Sequence, residues 1–188
     1  MAARAATTAA TRERLFSAAW QQFSAQPYEQ VRLADIAAEA GVTVQTLHAH
    51  FGTKDELFVA AWRQTMDPEG VRRDSARPGD VAHAVKLIYD SYELQGDAVL
   101  RLLAEEERIP AVHEMAEDGR AWHRAWVERT FDHLLDGLSG AARERRLVAL
   151  VVATDLLVWK LLRREMRLGR RQAERIVTEM VTATKGAP

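Results

Sequence analysis

The sequence predicts an all-α chain: an amino-terminal helix-turn-helix domain of three helices, then a carboxy-terminal helical domain. Three observations carry this. The chain is rich in Ala, Leu, Arg and Glu, with five Pro and ten Gly in 188 residues, a composition that favours helices. Apolar residues recur at i, i+3, i+4 and i+7 in segment after segment, the spacing of one buried helix face. The stretch from Val31 to Leu57, VRLADIAAEAGVTVQTLHAHFGTKDEL, carries helix start and stop signals in quick succession.

Residues 1–10 are small and polar, without periodicity, and read as a disordered tail. Thr11 can cap a first helix in which Leu15, Phe16, Ala19, Trp20 and Phe23 form one stripe, closed by Pro27 and Tyr28. In the next helix Leu33, Ile36, Ala37 and Ala40 share a face. Gly41 supplies the left-handed conformation that ends it, and Val42 packs back. Thr43 caps a third helix with Leu47 inward and Phe51-Gly52 at its end. Thr53 and Glu56 form a T-x-x-E capping box that opens a fourth, expected to stop near Thr65 before Asp67-Pro68.

The segment DPEGVRRDSARPGD, residues 67–80, reads as a linker, which divides the chain into domains 1–66 and 67–188. Asp80 caps a helix with Val81, Val85, Ile88 and Tyr92 in line, broken at Gly96-Asp97. Residues 98–109 are helical up to Pro110. Ala111–Gly119 then leads to a longer helix with Trp122, Trp126, Phe131, Leu134, Leu135 and Leu138, ended by Ser139-Gly140. The most apolar segment, RLVALVVATDLLVWKLLRREMRLG, reads as one helix with Leu147, Leu150, Val151, Thr154, Leu157, Val158, Leu161 and Leu162 along a stripe, and Val148, Val152 and Trp159 to its side. After Gly169, Ala173, Ile176, Val177, Met180 and Val181 line one face of a last helix.

Two helices joined by so short a turn cross steeply, and Ala37 is small where their backbones come closest; that is a helix-turn-helix. The third helix turns Thr43, Val44, Gln45, Thr46, His48 and His50 outward. This mixture of hydrogen-bonding and methyl-bearing side chains suits base edges in a major groove. The plain alternative is a helical hairpin that only packs.

The run DIAAEAGVTVQTLHAHFGTKDEL, within Thr11 to Trp62, resembles the DNA-binding signature of the TetR family of transcriptional regulators. It departs from the family pattern at His48 and His50, where tyrosine is usual, at Val44 and Gln45, often lysine and glycine, and at Arg32, which stands where a Ser or Thr cap is usual. The resemblance implies a homodimeric regulator, a repressor, that binds a palindromic operator and dimerises through its last two long helices as a four-helix bundle.

Charge does not by itself announce a nucleic-acid partner. Lys and Arg number 26 against 27 Asp and Glu. In residues 1–63, Arg4, Arg12, Arg14, Arg32, Lys54 and Arg63 face Glu13, Glu29, Asp35, Glu39, Asp55 and Glu56. A basic surface therefore has to come from placement, with Arg4, Arg12 and Arg14 at the amino end and Arg32 and Lys54 at helix starts.

No segment approaches the ~18 apolar residues of a membrane span, and the amino end lacks the apolar run of a secretion signal. The cytoplasm is the expected compartment. Zero cysteines exclude thiolate chemistry and disulfides. His48 and His50 point apart on a helix, and His113, His123 and His133 have no metal-binding motif around them, so no metal or cofactor is expected. The run Glu105, Glu106, Glu107 reads as a solvated helix end; Asp155 can pair across a dimer, cap a ligand or face solvent from a polar edge, and the last is the first choice. No catalytic motif appears.

These readings name three sets of residues. DNA contacts are expected from Thr11, Arg32, Thr43, Val44, Gln45, Thr46, His48, His50 and Lys54. A pocket for an unknown small-molecule effector, apolar or aromatic, is expected among Trp62, Tyr89, Tyr92, His113, Met115, Trp122, Trp126 and Trp159. A dimer interface is expected from Leu150, Thr154, Leu157, Leu161, Ala173, Ile176, Val177 and Met180. The rival from another class is an all-helical small-molecule-binding protein or enzyme whose helix-turn-helix is only structural.

Overall fold

The computed structural model describes the backbone of residues 2–184 and the side chains of residues 8–66 and 69–184; the expected Arg4 contact lies outside the described side chains. Among the described residues the chain is helical, without strands. Its packing defines two compact units, Met1–Pro68 with Ala98–Glu117, and Glu69–Asp97 with Asp118–Pro188.

In the amino-terminal unit α1 spans Ala2–Ala25, starting well before Thr11. Alanine has the highest helix propensity, and its density in AARAATTAA outweighs the lack of an amphipathic pattern there. Thr11 is thus inside a helix and caps nothing; its hydroxyl accepts from Arg14 Nη2 at 3.4 Å. Leu15, Phe16, Ala19 and Phe23 are buried as the stripe predicts. A 3-10 turn at Tyr28–Gln30 leads to α2, Leu33–Glu39, then α3, Val44–Phe51, and α4, which begins at Lys54. Phe23, Tyr28 and Phe58 form a mutually tilted and stacked trio with ring centres 4.8–5.3 Å apart. Leu102, Ile109, Val112 and Met115 join this core, so packing allots residues 98–117 to the amino-terminal unit, which composition alone does not indicate.

Helix α4 does not stop at Asp67-Pro68 but runs to Asp74. Proline removes one backbone donor, but the turn beyond it is pinned: Glu69 and Arg73 are buried as an i, i+4 ion pair at 2.9 Å. The first half of the expected linker is therefore helical.

In the carboxy-terminal unit Asp80 caps α5, accepting from the His83 amide at 2.9 Å. Helix α5 runs from Val81 to Leu103, through Gly96. That glycine is a packing site, since a Cβ there would stand 2.8 Å from two Trp159 ring carbons. Pro110 opens rather than stops a helix: it is the first residue of α6, Pro110–Thr130, where its missing donor costs nothing. Gly119 is carried within α6, as a single glycine can be.

The apolar segment expected as one helix is broken. Helix α7, Gly140–Ala153, ends where the Thr154 hydroxyl donates back to the Leu150 carbonyl at 2.8 Å. Asp155 then caps α8, Leu156–Lys160, by accepting from the Leu157 amide at 2.7 Å, so this half-exposed acid is a helix cap. A π-helical stretch, Leu161–Glu165, follows, and α9 spans Arg170–Ala183.

The break resets the phase of the apolar pattern. Leu147, Leu150 and Thr154 point into the unit, as do Trp159 and Leu162, whereas Val148, Val152, Leu157 and Leu161 are exposed. On α9, Ala173, Val177 and Val181 are buried, Ile176 is half-buried and Met180 is exposed.

Candidate nucleic-acid interface

Helix α2 ends in a complete Schellman motif. The Val42 amide donates to the Ala37 carbonyl at 2.9 Å and the Gly41 amide to the Ala38 carbonyl at 3.1 Å, with Gly41 at φ +67°. One residue later the Thr43 hydroxyl accepts from the Thr46 amide at 3.1 Å and opens α3. Helix α3 ends at Gly52, φ +57°, and the capping box closes both ways. The Glu56 amide donates to Thr53 Oγ1 at 3.1 Å, and the Thr53 amide donates to Glu56 Oε2 at 3.0 Å. These local bonds fix the attitude of α3, while buried Leu47 and Phe51 anchor its inner face.

Of the residues expected to meet DNA, the structure brings Thr43, Val44, Gln45, Thr46, His48 and His50 onto α3 or its cap. Val44, Gln45 and His48 are exposed. Thr46 is half-buried, and its hydroxyl lies 2.9 Å from that of Thr43, so the two are already engaged with one another. His48 Nδ1 lies 2.6 Å from the Gly52 carbonyl, which turns Nε2 away from the helix end. His50 is half-buried beside the Phe51 ring. Arg32 is exposed at the start of α2 and makes no side-chain cap.

Two expected cations are held inside the unit. The Lys54 ammonium donates to the Tyr28 carbonyl at 2.6 Å and lies 4.5 Å from that residue's ring centre. Burial lowers its pKa, against the pull of Asp55, Glu29 and Glu105. Lys54 is therefore a strut between the 3-10 turn and α4. Arg14 Nε donates to the Ala40 carbonyl at 3.0 Å, satisfying the end of α2. The Arg12 guanidinium lies 4.9 Å from the Phe51 ring centre and 5.2 Å from that of Phe16, which places an arginine of α1 beside the end of α3. Sequence gave no sign that Tyr28 would claim Lys54. The Tyr28 hydroxyl in turn bonds Asp55, and burial first, then Asp55, raises its pKa.

The expected effector residues are distributed over both units. Trp62 and Met115 are core residues of the amino-terminal unit, Trp62 against Trp20 with ring centres 5.5 Å apart. His113 is exposed, 3.5 Å from Glu106. Trp159 is buried and donates to Glu93 Oε1 at 3.0 Å, a structural contact. Tyr89, Tyr92, Trp122 and Trp126 lie in the carboxy-terminal unit. The dimer set also divides: Leu150, Thr154, Ala173 and Val177 are buried within the chain and cannot meet a partner, which leaves Leu157, Leu161, Ile176 and Met180 outward.

Among the described residues no three His, Asp or Glu side chains are grouped to hold a metal ion, and no helix is long and apolar enough to cross a membrane.

Residues 15–61 match the profile of a family described as bacterial regulatory proteins, tetR family. No curated protein sequence matches the chain significantly. Solved structures do resemble it. Salmonella enterica GusR has a TM-score of 0.73 at 19% identity, covering 94% of this chain and 96% of its own. A transcriptional regulator from Rhodococcus sp. Rha1 has a TM-score of 0.69 at 20% identity, covering 92% and 95%. A tetR-family transcriptional regulator from Streptomyces coelicolor has a TM-score of 0.68 at 18% identity, covering 92% and 80%. Residues 15–61 are therefore a tetR-family amino-terminal domain, and the chain shares the fold of these solved structures along most of its length.

Proposed function

We infer that the protein is a DNA-binding transcriptional regulator that binds a palindromic operator as a homodimer, represses from it, and is released by a small apolar or aromatic effector. One observation carries the reading: α3 is fixed by caps at both ends while Val44, Gln45 and His48 face outward. A glutamine amide can bond an adenine edge through two hydrogen bonds, and a valine methyl can meet a thymine methyl. Thr43, His50 and Arg32 serve the backbone, where contacts position the helix without reading sequence. Lys54 drops out of that group.

A single recognition helix reads too few bases for a useful specificity ratio, so two copies on a palindrome are needed. The exposed residues Val148, Val152, Leu157 and Leu161, with Met180 on α9, supply apolar surface for the second copy. Repression is the regulatory sense that the TetR resemblance implies. Release requires an effector that prefers one arrangement of the dimer; a coupling of about 1–3 kcal/mol would change operator affinity about 5–150-fold. The cytoplasm, where its operator resides, is the compartment this role requires, and no cofactor enters it.

The rival reading, a small-molecule binder or enzyme with a structural helix-turn-helix, has no DNA partner. A mobility-shift assay with DNA from upstream of the protein's own gene separates the two. The proposed function predicts retardation of that fragment and not of an unrelated duplex of equal length. Failure to retard the fragment, or equal retardation of both, contradicts it.

A further inference from the structure

The carboxy-terminal unit buries a polar cluster that its own atoms only partly satisfy. Arg73 Nε donates to Glu69 Oε1 at 2.9 Å and to Ser91 Oγ at 3.1 Å, and the Ser91 hydroxyl donates to the same carboxylate. The Arg73 guanidinium carbon lies 4.7 Å from the Trp122 ring centre, 5.3 Å from that of Tyr92 and 5.8 Å from that of Trp126. Arg72 Nη2 donates to the other oxygen of that carboxylate at 2.5 Å and to Ser91 Oγ at 2.7 Å, so Glu69 serves two cations, and the rings wall Arg73 in.

Beside this pair stand His123 and Trp126, one turn apart on α6, their rings 20° from parallel with centres 6.3 Å apart. Both are buried, at 8% and 0% exposure. The Thr154 hydroxyl spends its proton on the Leu150 carbonyl, so its oxygen accepts from His123 Nε2 at 3.2 Å. That leaves Nδ1 a bare acceptor. Among the described residues it has no donor, and the Trp126 indole N–H has no acceptor. Buried polar groups are nearly always paired, so two unpaired ones on neighbouring rings call for a partner from outside the chain.

The geometry points to a small-molecule site in this unit for an uncharged, planar ligand that carries an acceptor beside a donor, as an aromatic amide does. Its acceptor meets the Trp126 N–H, its donor meets His123 Nδ1, and its ring lies against the aromatic walls around Arg73. This deepens the effector assignment proposed above and rests on it for its regulatory meaning. A charged ligand would have to lose its hydration among aromatic walls, a cost that an uncharged one avoids. The surroundings hold even histidine uncharged: burial, and then Arg73, push the His123 pKa down to about 4. Trp122, half-buried, lies across Gly70, where a Cβ would sit 3.8 Å from its indole nitrogen, so this ring is the wall with solvent at its edge.

The test titrates the full-length protein, without DNA, with four single-ring compounds: benzamide, toluene, benzoate and benzamidine, followed by tryptophan fluorescence. Benzamide is expected to bind at least about tenfold more tightly than the other three, because each of those leaves a polar group unpaired or adds a charge. Trp126→Phe and His123→Leu should each weaken benzamide about tenfold. Equal binding of benzamide and toluene, tighter binding of either charged compound, or unchanged benzamide affinity in both variants would overturn the site. Should the variants not fold, the four-compound comparison on the wild type decides alone. Because no DNA is present, a failure of operator binding would refute the regulator reading and leave this result standing.

Discussion

Lys54 and Tyr28 are joined twice: the ammonium donates to the Tyr28 carbonyl at 2.6 Å and rests 4.5 Å from the centre of the Tyr28 ring. A lysine at the start of a helix behind a recognition helix reads, from sequence, as a phosphate contact. In the fold it is committed elsewhere. Lys54→Met is therefore expected to cost about 1–2 kcal/mol of stability, the scale of a partly buried charged hydrogen bond. It should leave the slope of log affinity against log salt unchanged. Urea unfolding measures the first and a salt titration of operator binding the second; a slope reduced by about one unit would return Lys54 to the phosphates.

Gly52 tests how firmly the end of α3 is set. Its φ is +57°, and a Cβ there would stand 2.5 Å from Glu56 Oε2. Gly52→Ala is expected to destabilise by about 1–3 kcal/mol through backbone strain and displacement of that carboxylate. Glu56→Ala alone loses half of the capping box, about 0.5–2 kcal/mol. The double variant should be less destabilised than the sum, since loss of the Glu56 cap is counted in both single changes and the clash vanishes without that carboxylate. Strict additivity in thermal or urea unfolding would contradict this.

How much of this was legible beforehand follows from where the information lies. Gly41, Thr43, Gly52, Thr53 and Glu56 act on neighbours one to four residues away, so their roles are written in local spacing and the fold realises each of them. Pro68, Gly96 and Pro110 carry local signals that a distant or flanking partner outweighs: the Glu69–Arg73 pair holds α4 beyond Pro68, and Trp159 needs the space at Gly96. Thr154-Asp155 hid a helix break inside an apolar run. Reading through it put Leu150 and Thr154 on the outer face and Val148 and Val152 to the side, the reverse of what packing gives on α7.

That reversal has a consequence in the assembly. Leu157→Glu or Leu161→Glu places a charge on an exposed apolar residue and should dissociate the proposed dimer and abolish operator binding while the monomer stays folded. Leu150→Ala instead removes a wholly buried side chain and should cost about 2–5 kcal/mol of folding stability. Sedimentation together with circular dichroism separates these outcomes. A Leu161→Glu protein that remains dimeric would remove this surface from the interface.

His123 gives stability a pH dependence whose sign is fixed. In the unfolded chain it takes a proton below about pH 6.5; folded, only below about pH 4. Between those values the unfolded state holds more protons, so stability falls as the pH is lowered, by at most about 1.4 kcal/mol per unit from this group. Urea unfolding at pH 7, 5.5 and 4.5 should show a steeper loss for the wild type than for His123→Leu. Parallel losses would mean that the histidine is not held neutral.

Gln45 carries the sequence readout. Gln45→Ala should lose about 1–3 kcal/mol at particular base pairs and relax preference there. The most direct measurement of the whole account selects bound duplexes from random DNA with the wild-type protein and with Gln45→Ala, and counts chains per duplex by sedimentation. The account predicts a palindrome bound by two chains, its half-sites about 34 Å apart or a multiple of that distance, with base preference altered at matching positions of both halves by Gln45→Ala. No enriched sequence, a single unrepeated site bound by one chain, or the same palindrome preferred equally by the variant would contradict it.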